Sequence, residues 1–182
     1  TCLKKCLDML TLRSKNKLNN IVKHSLIAGA FLLLVIFGAK IDLDLGGSVS
    51  FTLQTLFLGL AYYYLPIRWR FLLIIVYLGL GIVGLAVFNG GLGWAYFSSW
   101  PMGFFVGFVV TAFVYRPMGN RFLPVLGYFV QVHLIITLIG VMWIAYYLGS
   151  FSKGLETLVD ILPGAVLKSF AGAGVILLAK KL

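Results

Sequence analysis

The chain has 182 residues, of which 61% are hydrophobic and 11% are charged, and its mean hydropathy is +1.02. A soluble domain carries about 25% charged residues, so this composition excludes an ordinary soluble domain and indicates an integral membrane protein. The net charge of +10 does not indicate nucleic-acid binding, because six basic residues crowd the N-terminus and most of the others flank apolar runs, where topology signals lie. Those six are Lys4, Lys5, Arg13, Lys15, Lys17 and Lys23.

The N-terminal region divides into a basic tail and a first apolar segment. We interpret residues 1–20 as a basic cytoplasmic tail and residues 21–182 as one membrane domain that binds a substrate. The two cysteines, Cys2 and Cys6, lack metal-ligand spacing and are expected to be reduced thiols in a cytoplasmic tail. The small pair Ser25 and Gly29, four residues apart, predicts a close helix contact, either with a partner membrane protein or within the chain.

Six apolar segments predict an all-α integral membrane protein, with six transmembrane helices in a single bundle. They are residues 21–39, 52–66, 70–88, 98–115, 122–148 and 159–179. Basic residues accumulate in alternate connections and at both ends of the chain, whereas the other connections carry acidic residues or no charge. By the positive-inside rule, both termini are cytoplasmic. The three outward-facing loops are then residues 40–51, 89–97 and 149–158.

A lysine inside the last apolar segment is the most unusual residue, because a charge at membrane depth costs a few kcal/mol. Gly164, Lys168 and Gly172 are four residues apart and share one helical face, which is flanked by other small residues. Those are Ala165, Ser169 and Ala173. Small faces pack against other helices, so Lys168 should point into the bundle, where it predicts a site for an anion such as a carboxylate. Pro163 is expected in the first helical turn, which places Lys168 about 7 Å below the helix start.

Polar and aromatic residues from other segments are expected at the same outer depth as Lys168. Gln54 lies just inside the outer end of the second helix, and Asn89 opens the uncharged third loop. Trp94 and Tyr96 stand among the glycines of that loop, which predicts a lid over a bound ligand. The alternatives are an interhelical hydrogen bond for Gln54, turn chemistry for Asn89 and an interfacial aromatic belt for the rings.

Enzymatic chemistry finds little support in the sequence. The chain has no Walker A loop and no His-Glu-x-x-His motif, so we predict that it is not an enzyme and needs no cofactor or metal. His133 and Gln131, in the middle of the fifth segment, are expected to make interhelical hydrogen bonds away from the other candidates. A small membrane enzyme that acts on lipid remains an alternative of another class.

Three stretches of the chain, in this order and spacing, resemble the BioY family. They are residues 50–57 (SFTLQTLF), 77–91 (YLGLGIVGLAVFNGG) and 162–168 (LPGAVLK). BioY is the biotin-binding membrane component, or S component, of energy-coupling factor vitamin transporters. The resemblance implies a six-helix bundle in the bacterial cytoplasmic membrane that binds biotin near its outer face, under loops 1 and 3. It also implies a partner module, which consists of a transmembrane protein and two ATPases.

The resemblance also implies roles for individual residues. Lys168 matches the lysine of the family's last helix, the expected partner of the ligand. Gln54 matches the glutamine of the Leu-Gln-Thr segment, and Tyr77 matches the tyrosine that opens the third-helix motif. Asn89 is expected to replace an asparagine that some members carry in the glycine run, and Ala165 stands where the family commonly has an acid. An S component for another small vitamin is the alternative within transport.

Overall fold

The architecture is a bundle of helices with one very short antiparallel ladder. The structure is a computed structural model that describes residues 2–43, 51–117, 119 and 121–181. Its elements in chain order are α1 Cys2–Lys40, β1 Asp42–Leu43, β2 Phe51–Thr52, α2 Gln54–Tyr64, α3 Ile67–Ile82, α4 Gly93–Phe97, α5 Met102–Thr111, α6 Phe122–Tyr147 and α7 Phe151–Ala179. The predicted all-helical class is confirmed. The ladder, which pairs Asp42 with Thr52 and Leu43 with Phe51, was not predicted.

Three helices are long and apolar enough to cross a membrane. They are Lys17–Lys40 within α1, Phe122–Tyr147 and Phe151–Ala179. The helix Met102–Thr111 is apolar but shorter. Helices α2 and α3 have 11 and 16 residues, and at about 1.5 Å per residue both fall short of the roughly 30 Å of a hydrocarbon core. Membrane-crossing length is therefore present at three of the six predicted segments.

Helix α1 joins the predicted tail and the first predicted membrane segment without a break. The side chains before Lys17 lie outside the described part, so the thiol prediction for Cys2 and Cys6 is not addressed. Ser25 and Gly29 lie on an exposed face, and no described atom outside the helix's own backbone lies within 4 Å of the place where a Gly29 Cβ would stand. Packing of this pair against another described segment of the chain is therefore not observed.

A tight turn joins α6 to α7, although residues 149–158 were predicted to be a loop. Gly149 has a φ of +61°, which favours glycine, and the Ser150 N–H donates to the Ala145 carbonyl at 3.0 Å. This is the hydrogen bond of a Schellman motif, which ends α6. Ser150 then caps α7, because its Oγ accepts from the Lys153 N–H at 3.4 Å. The glycine–serine pair starts α7 eight residues earlier than predicted.

Pro163 lies inside α7, so its predicted place in the first turn is wrong. Lys168 comes seventeen residues after Phe151, which at about 1.5 Å per residue puts it about 26 Å along the helix. A proline inside a helix removes one backbone N–H donor, which membrane helices tolerate when neighbouring groups compensate. The field of the helix N-terminus therefore does not act on Lys168.

Close packing at two glycines holds α2, α6 and α7 together. A Cβ at Gly59 would lie 3.0 Å from the Phe129 ring of α6, and a Cβ at Gly172 would lie 2.5 Å from the same ring. Tyr128 adds a hydrogen bond to the Gly59 carbonyl at 3.1 Å. The aromatic rings of α6 thus fill the space that glycines leave on both neighbouring helices.

A buried arginine, Arg70 of α3, makes hydrogen bonds at the C-terminal end of α2. The Arg70 Nε donates to the Leu65 carbonyl at 2.9 Å, and its Nη1 donates to the Ala112 and Val114 carbonyls at 3.1 and 2.7 Å. These carbonyls follow the last turns of α2 and α5, where the helices leave acceptors without internal partners. Arg70, which the sequence pattern indicates only as a topology charge, therefore joins two helix ends.

Candidate functional site

The predicted small face of α7 is buried as expected. Gly164, Lys168 and Gly172 are buried, together with the three flanking small residues. Those are Ala165, Ser169 and Ala173. A Cβ at Gly164 would lie 2.5 Å from the Phe51 ring, so the glycine lets β2 approach α7 closely. The helical spacing therefore oriented Lys168 correctly, towards the interior of the bundle.

Lys168 lies on this glycine face of α7 and contacts the strand β2. Its Nζ donates to the Thr52 carbonyl at 3.2 Å and lies 4.9 Å from the centre of the Phe51 ring, and the residue is only 8% exposed. The carbonyl accepts one of the three ammonium protons, and the ring attracts the cation through its negative face. This bond to the backbone leaves Lys168 donor capacity for a second acceptor.

A cavity of about 210 Å³ opens beside Lys168. Much of its wall is apolar and aromatic, and includes Trp100, Phe104, Phe105, Phe108, Ile136 and Ile161. Its polar lining includes Gln54, Thr55, Asn89, Tyr96, His133 and Lys168. An apolar cavity with a few convergent polar groups is the usual form of a small-molecule site.

Four of the six residues predicted from the sequence to contact a ligand line this cavity: Gln54, Asn89, Tyr96 and Lys168. A fifth, Tyr77, lies behind Gln54, because the Gln54 Nε2 donates to the Tyr77 hydroxyl at 2.7 Å. The Tyr77 hydroxyl donates in turn to the Val87 carbonyl at 3.1 Å. Tyr77 thus positions Gln54 rather than lining the cavity. The interhelical hydrogen bond that was the alternative for Gln54 exists together with its place in the cavity wall.

Trp94, the sixth predicted residue, lies outside the cavity wall. It is 62% exposed and stacks on Phe97 with ring centres 5.6 Å apart. Helix α4 turns Tyr96 towards the cavity and Trp94 away from it. The geometry therefore gives no support to Trp94 as a ligand contact.

The third loop is fastened to the bundle at several points. The Tyr96 hydroxyl donates to the Asn89 carbonyl, and the Lys40 ammonium donates to the Phe88 carbonyl. Trp143 of α6 adds a hydrogen bond from Nε1 to the Ser99 carbonyl at 2.9 Å. Burial raises the pKa of Tyr96, so its hydroxyl stays protonated and continues to donate at physiological pH. The predicted closure by loop 1 falls mainly on residues 44–50, which lie outside the described residues.

His133 joins the site, although the sequence placed it away from every candidate. Its expected interhelical bond is present, because Nδ1 lies 2.9 Å from the Ser169 Oγ of α7, but the ring also lines the cavity with Lys168. Thr55, which was not singled out, lines the same cavity. The signal for His133 is its helical spacing from Phe129 and Thr137 on the buried face of α6. Gln131 is exposed and makes no interhelical hydrogen bond to any described residue.

The fold and the cavity together define a class of protein. A helical membrane bundle encloses a small cavity, much of whose wall is apolar and aromatic and which carries one buried cation and several amide and hydroxyl groups. This is a membrane protein built to hold a small, partly polar organic molecule. The family model described as "BioY family" matches residues 11–182. The chain therefore belongs to the BioY family.

Individual relatives are similar over different parts of their length. A protein of Thermotoga maritima named "Biotin transporter BioY" is 40% identical over 88 residues, which are 48% of this chain and 52% of that protein. The match thus spans about half the length of that relative. A "Probable biotin transporter BioY" of Pyrococcus horikoshii is 32% identical over 161 residues, which are 88% of this chain and 96% of that one.

One solved structure has the same fold. It is the crystal structure of the S-component for biotin from an ECF-type ABC transporter, which superposes with a TM-score of 0.74 at 19% sequence identity. The superposition covers 90% of this chain and 94% of the other. At this identity the likeness establishes the fold alone.

Proposed function

We propose that this chain is a biotin-binding membrane component that mediates biotin uptake. One observation carries the proposal: in a chain of the BioY family, Gln54 of α2, Asn89 and Tyr96 of the third loop and Lys168 of α7 line one cavity. The relatives that share the family are named as transporters of biotin. The protein therefore acts by binding and releasing a ligand, and biotin is cargo rather than a cofactor.

The chemistry of biotin suits the cavity. Biotin has a carboxylate, an apolar side chain with a thiophane ring, and a ureido group that both donates and accepts hydrogen bonds. Lys168 supplies a cation for the carboxylate or another acceptor, Gln54 and Asn89 supply polar contacts, and the aromatic wall covers the apolar part. A hydrogen bond to a charged group contributes about 1.5–3 kcal/mol, which makes Lys168 the largest single polar contribution.

We assign the chain six membrane spans, with both termini in the cytoplasm and the cavity near the outer face of a bacterial cytoplasmic membrane. The alternation of charge between the connections supports this orientation. The short helices α2 and α5 cross the membrane together with the non-helical segments that flank them. Loops 1 and 3 close over the ligand, with Tyr96 against the cavity and Trp94 on the outer surface of the closed loop.

The resemblance to the BioY family implies an energising module of a transmembrane protein and two ATPases for uptake, and the sequence itself contains no phosphate-binding loop of the Walker A type. The face of α1 that carries Ser25 and Gly29 is the docking surface for the transmembrane partner. Both residues are exposed, and small residues let two membrane helices approach closely. The partners are thus biotin, the lipid bilayer and this module, with no nucleic acid.

The test is a binding assay on the purified protein with radiolabelled biotin. We expect binding at nanomolar to low micromolar concentration, and competition by unlabelled biotin but not by other vitamins. Absence of biotin binding would overturn the proposal, and saturable binding of a different vitamin would identify an S component for that vitamin. Turnover of a lipid by the protein alone would instead indicate an enzyme.

A further inference from the structure

Two polar atoms in the cavity wall are buried without a partner. They are His133 Nε2 and Thr55 Oγ1, and within the part of the chain that the structure describes they are the two buried side-chain nitrogen or oxygen atoms that lack a hydrogen bond. Buried polar atoms are nearly always satisfied, so each exception calls for an explanation. Both exceptions occur in the lining of one cavity, on α6 and α2. This coincidence indicates a ligand that supplies the missing partners.

The hydrogen bonds around His133 fix which ring nitrogen carries the proton. Nδ1 lies 2.9 Å from the Phe129 carbonyl and 2.9 Å from the Ser169 Oγ. Ser169 already donates its single hydroxyl proton to the Ala165 carbonyl at 2.8 Å, so towards His133 it accepts. The Phe129 carbonyl also accepts. Nδ1 is therefore the protonated nitrogen, and both partners share its proton.

The second nitrogen of the ring is then an acceptor. In a neutral imidazole with a protonated Nδ1, Nε2 carries a lone pair and no proton. The ring is 3% exposed and shares the cavity with Lys168, so a second positive charge there would be strongly unfavourable. Nε2 thus needs an N–H or O–H donor from the occupant of the cavity. The Thr55 hydroxyl, on α2, can donate or accept a hydrogen bond, so it can donate to a carbonyl of the same occupant.

We propose that His133 Nε2 accepts a hydrogen bond from an N–H of a cyclic urea, while the Thr55 hydroxyl donates to its carbonyl. This assigns the ureido end of the ligand to α6 and α2, and it makes His133 a specificity-determining residue. Ala165, which also lines the cavity, presents only a methyl group there. The assignment rests on the proposed function, because biotin is the ligand whose ureido ring it places.

The test uses nitrogen NMR of the protein labelled with ¹⁵N-histidine. The chain has two histidines, and His24 lies on α1 outside the cavity lining, with its Nδ1 2.7 Å from the Asn20 carbonyl. His24 therefore serves as an internal control. Without ligand we expect His133 as the Nδ1-protonated tautomer with an unbonded Nε2. Saturating biotin should shift the Nε2 resonance of His133 in the direction of an accepted hydrogen bond and leave His24 unchanged.

A binding experiment tests the same contact through the ligand. Biotin methylated at the ureido nitrogens lacks the N–H donors, so the wild-type protein should bind it roughly tenfold to a hundredfold more weakly than biotin. His133→Phe should weaken biotin binding by a similar factor and abolish the preference between the two ligands. Lys168→Met should weaken both ligands and preserve the preference.

The outcomes separate this inference from the proposed function. Biotin binding with an unchanged Nε2 resonance, or an Nε2-protonated tautomer in the free protein, would overturn the role of His133 and leave the proposed function standing. If biotin does not bind, imidazolidin-2-one, the bare cyclic urea, is the probe at millimolar concentration. A shift of Nε2 with this probe would support the cyclic-urea site while the proposed function fails. No shift with this probe would overturn both.

Discussion

A buried cation lies beside each end of α2: Lys168 of α7 near its start and Arg70 of α3 near its end. The two cations differ in the number of hydrogen bonds that they donate. Arg70 donates three hydrogen bonds to backbone carbonyls, at 2.7 to 3.1 Å, and lies where α2 and α5 end. Lys168 donates one, to Thr52 at 3.2 Å, and borders a cavity with two unsatisfied polar atoms. Both are less than 10% exposed. The difference in partners, not in burial, distinguishes a structural cation from a cation available to a ligand.

This contrast assigns stability to one end of the molecule and binding to the other. A buried cation that donates to several backbone carbonyls at helix ends contributes to the fold, and its loss leaves several acceptors unsatisfied at once. A buried cation with spare donors is costly in the empty protein, and its cost is offset when a ligand supplies an acceptor. Substitutions at the two ends should therefore change different measured quantities.

The largest expected effect is on stability, at Arg70. Arg70→Met removes the donor of three buried carbonyls and should lower the free energy of unfolding by about 3–5 kcal/mol, less than the sum of three separate bonds. Thermal or denaturant unfolding in detergent measures it. Arg68→Met, two residues away on the exposed face, is the control and should stay within about 0.5 kcal/mol of the wild type. Equal stability of both variants would remove the structural role of Arg70.

The next effect is on affinity, at Lys168. Lys168→Met should weaken biotin binding by about 1.5–3 kcal/mol, roughly tenfold to a hundredfold, because a charge-assisted hydrogen bond is lost. Titration calorimetry measures the change. Lys153→Met, on the same helix but at an exposed position, should bind biotin as the wild type does. An unchanged affinity in Lys168→Met would assign the lysine to the Thr52 carbonyl alone.

A substitution at Gly172 tests the close packing of α7 against α6, two of the helices that border the cavity. Gly172→Ala places a methyl group 2.5 Å from the Phe129 ring, and such overpacking should cost about 1–3 kcal/mol of unfolding free energy. Gly174→Ala is the matched control, because no described atom outside the helix's own backbone lies within 4 Å of its added Cβ. A helical alanine there should be neutral or stabilise by up to about 1 kcal/mol. Similar melting curves for both variants would contradict the close packing of α6 on α7.

The smallest effect is expected in the third loop. Tyr96→Phe removes the hydroxyl that donates to the Asn89 carbonyl, and should speed biotin release by about twofold to tenfold, as expected for one neutral hydrogen bond. Trp94→Phe keeps a ring on the exposed side of the same helix and should leave the release rate unchanged. Dissociation of labelled biotin, followed after dilution, measures both rates. The reverse order of effects would place Trp94, and not Tyr96, against the ligand.

The sequence predicted the features that depend on periodicity and composition. A four-residue spacing of small residues was enough to orient Lys168, and the polarity and sequence position of Gln54 and Asn89 were enough to place them with it. Tyr77, which the family motif indicates as a binding residue, is hydrogen-bonded to Gln54 and does not appear in the cavity lining. That distinction depends on the distance between α2 and α3, which no local pattern contains.

Other features depend on contacts between distant segments, and the sequence could not supply them. Arg70 resembles any loop arginine until α5 brings two carbonyls within reach of its Nη1. The interhelical hydrogen bond of His133 was predicted and is present, but its place in the cavity wall depends on how α2, α5 and α7 pack around α6. The early start of α7 could have been predicted from the sequence, because a glycine that ends one helix is followed directly by a serine that caps the next. These residues are Gly149 and Ser150.

The most direct test of the division between the two ends is the rise in unfolding temperature that biotin causes. A ligand at about 100 times its dissociation constant stabilises the folded state by about 2.7 kcal/mol. We expect Arg70→Met to begin from a lower unfolding temperature and to keep the rise, whereas Lys168→Met begins near the wild type and loses about half of the rise or more, because its affinity for biotin is lower. A full rise in Lys168→Met, or its loss in a folded Arg70→Met protein, would contradict the account.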